Sequence, residues 1–125
     1  MTMGKRSFTD FDAVMEWRNL GWLVFEVKCA GKNVPTGQRI ALERFVSDTK
    51  VNGKWSMVAI VEHGVTNPRE DIFLRDCLVR SVYTSDELVW RPPKRWMNAR
   101  ELMRLFIAYI DSMTGGGPSG PPPFG

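Results

Sequence analysis

The sequence predicts a small mixed α/β protein, in which one mixed β-sheet is flanked by helices in the order β-β-α-β-β-β-α. Three observations support this fold class. Two segments, residues 22–28 and 55–62, are rich in β-branched and aromatic residues and apolar on both faces, as interior strands are. One helical segment lies between them, which is the pattern of a crossover connection. A second amphipathic helix follows the last strand, which completes an α/β sandwich of modest size.

The first two strands form a predicted hairpin. Residues 12–17 (DAVMEW) and 22–28 (WLVFEVK) flank the segment 18–21 (RNLG), whose Asn and Gly supply the positive-φ positions of a tight turn. The second strand is apolar on both faces up to Glu26, which predicts an interior strand with a polar end. With a period of two, one face of this strand carries Trp22, Val24, Glu26 and Lys28, and the other carries Leu23, Phe25 and Val27.

A helix and a buried strand follow the hairpin. Thr36 is the predicted N-cap of the helix, which extends to about Asp48. Asn52 and Gly53 end this element, and residues 55–62 (WSMVAIVE) form the next strand. The apolar stripe of the helix consists of Ile40, Ala41, Phe45 and Val46.

Two further strands are predicted in the C-terminal third. Residues 78–83 (LVRSVY) and 87–91 (ELVWR) have strand composition and are joined at residues 84–86. Two consecutive prolines, Pro92 and Pro93, end the second strand because proline cannot donate a ladder hydrogen bond.

The last helix has the clearest signal, and it ends the predicted domain. Asn98 and Glu101 form a capping box at its start. The single folded domain is predicted to span residues 10–113, between a flexible basic segment at 1–9 and a disordered Gly/Pro-rich tail at 114–125. The apolar stripe of the helix, which we interpret as core packing, consists of Leu102, Leu105, Phe106, Tyr109 and Met113.

Composition excludes several functional classes. No apolar run approaches the length of a membrane span, and the first ten residues lack the apolar core of a secretory signal, so we expect a cytoplasmic protein. Cys29 and Cys77 are too few for a disulfide framework, and with a single histidine they form no zinc site. His63 has no paired nucleophile in the sequence, so we interpret it as a strand-end residue.

The charge balance is compatible with a nucleic-acid partner. Seventeen Lys and Arg against fourteen Asp and Glu give a net charge of +3 and a pI near 9.1. Eleven of the seventeen cations are arginine, whose planar fork suits phosphate.

Carboxylates are the strongest candidates for chemistry. In the predicted hairpin, Asp12 begins one strand and Glu26 ends the other, so the two face each other across the ladder. Neighbouring carboxylates repel each other and need a cation, and hard oxygen ligands select Mg²⁺ or Mn²⁺. Asp10 has the same strand parity as Asp12, so either residue could be the first ligand.

A lysine and a glutamine lie beside these carboxylates. Lys28 is two residues after Glu26 and shares its face, where an ammonium group can hold a water that attacks phosphorus. Gln38, in the first turn of the following helix, can reach back over the same end of the sheet.

The arrangement resembles the PD-(D/E)XK nuclease superfamily. The resemblance depends on Asp12, a short hairpin, the tripeptide at 26–28 (EVK), and a helix that opens with Gln38 before a further apolar strand. Within that superfamily, the segment FEVKCAGKNVPTGQRIALERF is most similar to the VRR-NUC and archaeal-type Holliday junction resolvase branch. The similarity covers roughly residues 10–63.

The resemblance implies a Mg²⁺- or Mn²⁺-dependent endonuclease with a restriction-endonuclease-like core, which hydrolyses DNA. Relatives in this branch cut Holliday junctions or other branched DNA, and they act as homodimers because two symmetric strands need two active sites. The resemblance assigns the metal to Asp12, Glu26 and the Val27 backbone carbonyl. It implies that Lys28 positions the attacking water. It also implies that Gln38 orients the lysine, the water or a phosphate. A compact nuclease of this kind also suits a phage, acting in the host cytoplasm.

Basic and aromatic residues near the proposed site predict a nucleic-acid interface. Cations can grip backbone phosphates, and Trp96 can either stack on an unpaired base or anchor the last helix. The predicted nucleic-acid-binding residues are Lys32, Arg39, Arg44, Arg91, Lys94, Arg95 and Trp96.

Two other functions fit the same sequence. The first is a catalytically inactive nucleic-acid-binding or assembly module with the same fold. The second is a small protein–protein adaptor, in which the five tryptophans and the Pro-rich tail contact a partner.

Overall fold

The computed structural model describes residues 12–64 and 71–114 of the 125-residue chain. The predicted class is confirmed, because these residues form a five-stranded mixed sheet and two long helices. Asp10, the predicted segment at 1–9 and the predicted tail at 114–125, except Thr114 at the end of α2, lie outside the described residues. The elements are β1 (Ala13–Trp17), β2 (Gly21–Cys29), α1 (Thr36–Val51), β3 (Trp55–His63), β4 (Leu78–Thr84), β5 (Trp90–Arg91) and α2 (Ala99–Thr114), with a 3-10 turn at Leu74–Asp76 before β4.

The sheet has the strand order β1-β2-β3-β4-β5. Strands β2 and β3 are parallel, and all other neighbouring strands in it are antiparallel. The predicted hairpin and the predicted crossover through α1 are therefore both confirmed. Strand β5 is shorter than the predicted 87–91, because Leu88 has a φ of 58° and its backbone N–H donates to the Thr84 carbonyl. Residues 85–87 and Leu88 thus belong to the turn after β4.

Each face of the sheet is covered by one helix, so its central strands are buried on both sides, as predicted for β2 and β3. Helix α1 covers one face through Leu42 and Val46, and α2 covers the other through Leu102, Phe106 and Ile110. On the α1 face these side chains meet Val24, Val58 and Tyr83, and on the α2 face they meet Leu23, Phe25, Met57, Ala59 and Val61. Within the described ranges, neither helix has the length and apolar content that a membrane crossing requires.

The two helices begin differently. For α2 the predicted cap is confirmed, because Asn98 Oδ1 accepts a hydrogen bond of 2.9 Å from the Glu101 backbone N–H. Hydrogen bonds from Arg95 and from the Asn98 backbone lower the pKa of Glu101. For α1 the predicted Thr36 cap is wrong. Pro35 occupies the cap position with an extended backbone and no side-chain hydrogen bond, which makes Thr36 the first helical residue.

The turn of the β1–β2 hairpin does not use the predicted glycine. Arg18 and Asn19 have the positive φ angles, 55° and 56°, and the Leu20 N–H donates to the Trp17 carbonyl at 3.1 Å. Two successive positive φ values are typical of a type I′ turn. Gly21 is instead the first residue of β2, where it permits the close approach of α2.

The space at Gly21 leads to a stability prediction. A Cβ at this position would lie 2.5 Å from Ile110 Cδ1 and 3.2 Å from a Phe106 ring carbon, so Gly21→Ala must displace core side chains of α2. We expect this change to lower the free energy of unfolding by about 1–3 kcal/mol.

Gly37→Ala is the matched control, because a Cβ there meets nothing within 4 Å. It should raise the free energy of unfolding by up to about 1 kcal/mol, since alanine restricts the unfolded chain. Urea denaturation of both variants measures the difference. An equal change in the free energy of unfolding at the two positions would show that the close packing at Gly21 does not contribute to stability.

Candidate functional site

The candidate site lies where β2 ends, on the face that α1 covers. Because β2 and β3 are parallel, their carboxyl ends lie at the same edge of the sheet, with Glu26 opposite Ile60 and Lys28 opposite Glu62. Strand periodicity puts Glu26 and Lys28 on the same face as Val24, which packs against α1. Helix α1 starts above this edge and brings Gln38 over it.

Three predicted catalytic residues meet at this place. Gln38 Nε2 donates to Glu26 Oε1 at 2.7 Å, and Lys28 Nζ lies 3.2 Å from the same oxygen. Lys28 Nζ also donates to Gln38 Oε1 at 3.4 Å, which closes a triangle of polar contacts. Glu26 is 2% exposed, whereas the Lys28 side chain is 22% exposed and keeps access to solvent. The carboxylate is therefore fixed and buried, and the ammonium group lies between it and water.

Asp12 stands next to this triangle. The register pairs Ala13 with Phe25, so the residue before β1 lies beside Glu26, as predicted. Asp12 Oδ2 accepts a hydrogen bond of 2.7 Å from the Val27 backbone N–H. The N–H and C=O of one strand residue point toward the same neighbouring strand, so the Val27 carbonyl also points to the side of β2 on which Asp12 lies. Asp10, the alternative ligand, lies outside the described residues.

The Glu26 carboxyl is electrostatically unusual. Its Oε2 atom is buried and has no hydrogen-bond partner among the residues that the structure describes. Burial is the largest cause that raises the pKa of Glu26 above its ordinary 4.5, and the charge of Asp12 raises it further. Lys28 and Gln38 act in the opposite direction but do not outweigh burial. The folded chain therefore binds a proton at Glu26 more readily than the unfolded chain does.

These donors fit a hydrated magnesium or manganese ion. Over residues 12–64 and 71–114, no group of three or more His, Cys, Asp and Glu side chains is arranged to hold a metal. Asp12 and Glu26 are thus a two-carboxylate set, and the Val27 carbonyl would be a third oxygen donor. Mg²⁺ retains several waters and binds through one or two carboxylates, so it needs no complete protein cage. The unpartnered Glu26 oxygen is the atom that such an ion would satisfy.

The predicted nucleic-acid-binding residues fall into two groups. Lys32, Arg39 and Arg44 are exposed in the loop before α1 and on α1 itself. Arg39 donates from Nε to Glu43 Oε2 at 3.3 Å, and its guanidinium lies 5.7 Å from the centre of the Trp90 ring.

The second group lies after β5. Arg91 pairs with Glu87, and Arg95 Nη1 lies 2.9 Å from Glu101 Oε2. Trp96 is 82% exposed, so it does not anchor α2; the buried Met97 is the residue that packs there. Residues 92–96, Lys94 among them, line a groove of about 370 Å³ together with Glu62, Leu78, Val79 and Arg80. Because Glu62 is the register partner of Lys28, this groove lies at the same end of the sheet as the triangle.

Sequence reasoning missed one residue, Arg80. Its guanidinium donates to the Lys32 carbonyl and, at 2.9 Å, to Asn33 Oδ1, so it holds the loop before α1. The available signal was a charged residue inside an apolar strand. His63, at the end of β3, is half-buried as expected, and its carbonyl accepts a hydrogen bond of 2.8 Å from the Ala30 N–H.

Comparisons with known proteins add no assignment to this geometry. No protein-family model, curated protein or solved structure matches the chain. The chemistry of the site is therefore inferred from its own side chains.

Proposed function

We propose that the protein is a metal-dependent endonuclease that hydrolyses DNA phosphodiester bonds, with a core of the PD-(D/E)XK type. The observation that carries this proposal is the buried Glu26 carboxylate, which has Asp12, Lys28 and Gln38 around it and one oxygen that bonds to none of the residues at 12–64 and 71–114. A buried acid without full compensation costs stability, and such groups are concentrated at functional sites.

Each residue has a separate role in this proposal. Asp12, Glu26 and the Val27 carbonyl would hold Mg²⁺ or Mn²⁺, which offsets the charge that develops on the phosphoryl oxygens. Lys28, partly exposed beside Glu26, holds the attacking water and orients one of its lone pairs toward phosphorus. Gln38 is a positioning residue, because it bonds to both Glu26 and Lys28 and keeps them in a fixed relation.

The substrate in this proposal is DNA, with branched structures such as the Holliday junction preferred. Lys32 and Arg39 supply positive charge beside the site, and the exposed Trp96 offers a stacking surface at the same end of the sheet. Cutting two symmetric strands requires two sites, so the active species on a junction would be a homodimer.

The test is cleavage of an end-labelled four-way junction and of a linear duplex by the full chain. We expect nicking near the branch in Mg²⁺ or Mn²⁺ and none in EDTA. Asp12→Asn keeps an acceptor for the Val27 N–H but removes one negative charge. We expect this variant to need at least about tenfold more Mg²⁺ for half-maximal cleavage, because the site would lose one of its few contacts to the metal.

Other outcomes identify the competing functions. Tight DNA binding without cleavage in either metal would indicate the inactive nucleic-acid-binding module. Absence of DNA binding would leave the protein–protein adaptor. An unchanged metal requirement in Asp12→Asn would exclude Asp12 as a ligand.

A further inference from the structure

A second groove lies beside the candidate site. It is mainly polar, and none of the predicted functions assigns a ligand to it. It has a volume of about 420 Å³ and lies between the loop before α1, the first turns of α1, and strands β3 to β5. We call it the Arg80 groove. Its main lining residues are Asn33, Arg39, Ile60, Arg80, Ser81 and Trp90.

A β-bulge places Arg80 in this groove. Along the β3–β4 ladder, Ile60 pairs with Ser81 and the next residue, Val61, pairs with Val79. Arg80 is therefore an extra residue on β4, and its guanidinium bonds to the loop on the α1 side of the sheet. Bulges of this kind redirect a side chain, and they are frequent beside active sites. In a regular strand Val79 and Ser81 would share one face, whereas here Val79 packs in the α2-side core and Arg80 and Ser81 both line the groove on the α1 side.

The groove is adjacent to the proposed catalytic residues. Ile60 is the register partner of Glu26 on one side and of Ser81 on the other. Two strand spacings separate Ser81 from Glu26, which is about 10 Å across the sheet. Arg39 directly follows Gln38 in α1. A polymer held at Glu26 would therefore run into this groove.

The charge of the groove favours a phosphate. Arg80 uses two N–H groups for the loop and Arg39 uses its Nε for Glu43, and each guanidinium has five N–H donors. The nearby Glu43 carboxylate is already bonded to Arg39 and, at 2.6 Å, to Trp90 Nε1. Two arginines and one carboxylate that is already engaged, with Ser81 also in the lining, form a site for an oxyanion.

We propose that the Arg80 groove binds a backbone phosphate of the nucleic-acid strand that passes Glu26, with Arg80 and Arg39 as its charged donors. This inference rests on the proposed function, because it takes the occupant to be a nucleic acid. It adds Arg80 to the proposed DNA-binding residues. It also gives the path of the nucleic-acid strand, which would cross β3 and β4 toward Trp90.

The test compares Arg80→Gln with Arg104→Gln in the full chain. Arg104 is an exposed arginine on α2, on the opposite face of the sheet, so it matches the change in charge. Affinity for a labelled duplex is measured in EDTA over a series of salt concentrations. We expect Arg80→Gln to weaken binding about tenfold and to reduce the slope of log K against log salt by about 0.9, the value for one lost phosphate contact. Arg104→Gln should change neither.

A second measurement locates the phosphate contact on the DNA with the wild-type protein. Single neutral methylphosphonates are placed at successive positions of the duplex and tested with the wild-type protein. One position should weaken wild-type binding about tenfold, and the same position should have no further effect on Arg80→Gln. An unchanged salt slope in Arg80→Gln, or the absence of a sensitive position, would overturn the groove assignment. Failure of the wild type to cleave would instead count against the proposed function alone, because both measurements are made without metal.

Discussion

Lys28→Ala is expected to lower the rate of DNA cleavage by at least about 100-fold while leaving DNA affinity within a few-fold of wild type. The loss of one positioned donor to a developing charge has this magnitude in other enzymes. Lys28 Nζ lies 3.2 Å from Glu26 Oε1 and remains partly exposed, so it can contact both the carboxylate and an incoming water. Single-turnover cleavage of the labelled junction measures the chemical step without product release.

Lys54→Ala is the control for this variant. Its ammonium donates to the Asn19 carbonyl, beside the hairpin turn and at the opposite end of the sheet, so the same charge is lost away from the site. Its cleavage rate should stay near that of wild type. Lys28→Arg keeps the charge, but its planar guanidinium cannot replace a compact ammonium, and most of the activity should still be lost. Wild-type cleavage by Lys28→Ala would remove Lys28 from the mechanism.

Local patterns predicted the part of the site that lies on one hairpin. Alternation along residues 22–28 is enough to put Glu26 and Lys28 on the same face, because side chains repeat every two residues in a strand. Antiparallel pairing then puts Asp12 at the end of β2, and the bond from the Val27 N–H to Asp12 agrees with that. The crossover was also predictable, since a helix between two buried strands implies parallel neighbours.

The features that escaped prediction depend on contacts between distant residues. The bulge at Arg80 has no local signature, because it arises from the register between β3 and β4. The late start of β5 depends on a turn in which Leu88 adopts a left-handed conformation that its side chain disfavours. Glycine is typical of turns, but Gly21 is needed because Ile110, 89 positions away in the chain, packs closely against it.

Burial was the hardest property of the site to foresee. Sequence alone predicted a polar end to β2, with Glu26 as its first polar residue. In the structure α1 covers that end, so Glu26 is 2% exposed and its raised pKa reflects desolvation above all. The position of α1 over the end of β2 decides this burial, and it depends on the conformation of the loop at residues 30–35, which periodicity does not encode.

Glu26→Gln is expected to abolish cleavage and, at the same time, to stabilise the protein. Removing the carboxylate that is proposed to bind the metal should lower the cleavage rate by at least about 1000-fold. Glutamine has nearly the same volume but carries no buried charge, so the free energy of unfolding at pH 7 should rise by about 1 kcal/mol. For a domain of this size that corresponds to a rise in Tm of about 4 °C. Asp48→Asn, an exposed carboxylate on α1, should change stability by less than about 0.5 kcal/mol.

The pH dependence of this gain follows from the raised pKa of Glu26. Above 4.5 the unfolded chain loses the proton that the folded chain retains, so the wild type loses stability as pH rises toward the raised pKa. The stability difference between Glu26→Gln and wild type should therefore be small at pH 4, grow through this interval and then become constant. Thermal unfolding of both proteins from pH 4 to pH 8 measures it. A difference that does not change with pH would contradict a desolvated carboxylate.

The effect of Mg²⁺ on stability tests whether the Glu26 carboxylate binds a metal ion. An ion that binds only the folded wild type stabilises it by RT ln(1 + [Mg²⁺]/Kd), which is about 1.4 kcal/mol at ten times Kd. Glu26→Gln should show none of this stabilisation, because the unpartnered oxygen that would receive the ion is replaced by an amide group. Added Mg²⁺ should thus narrow the stability gap between the two proteins at pH 7. A gap that Mg²⁺ leaves unchanged would mean that the buried carboxylate does not bind metal, and the nuclease proposal would lose its central ligand.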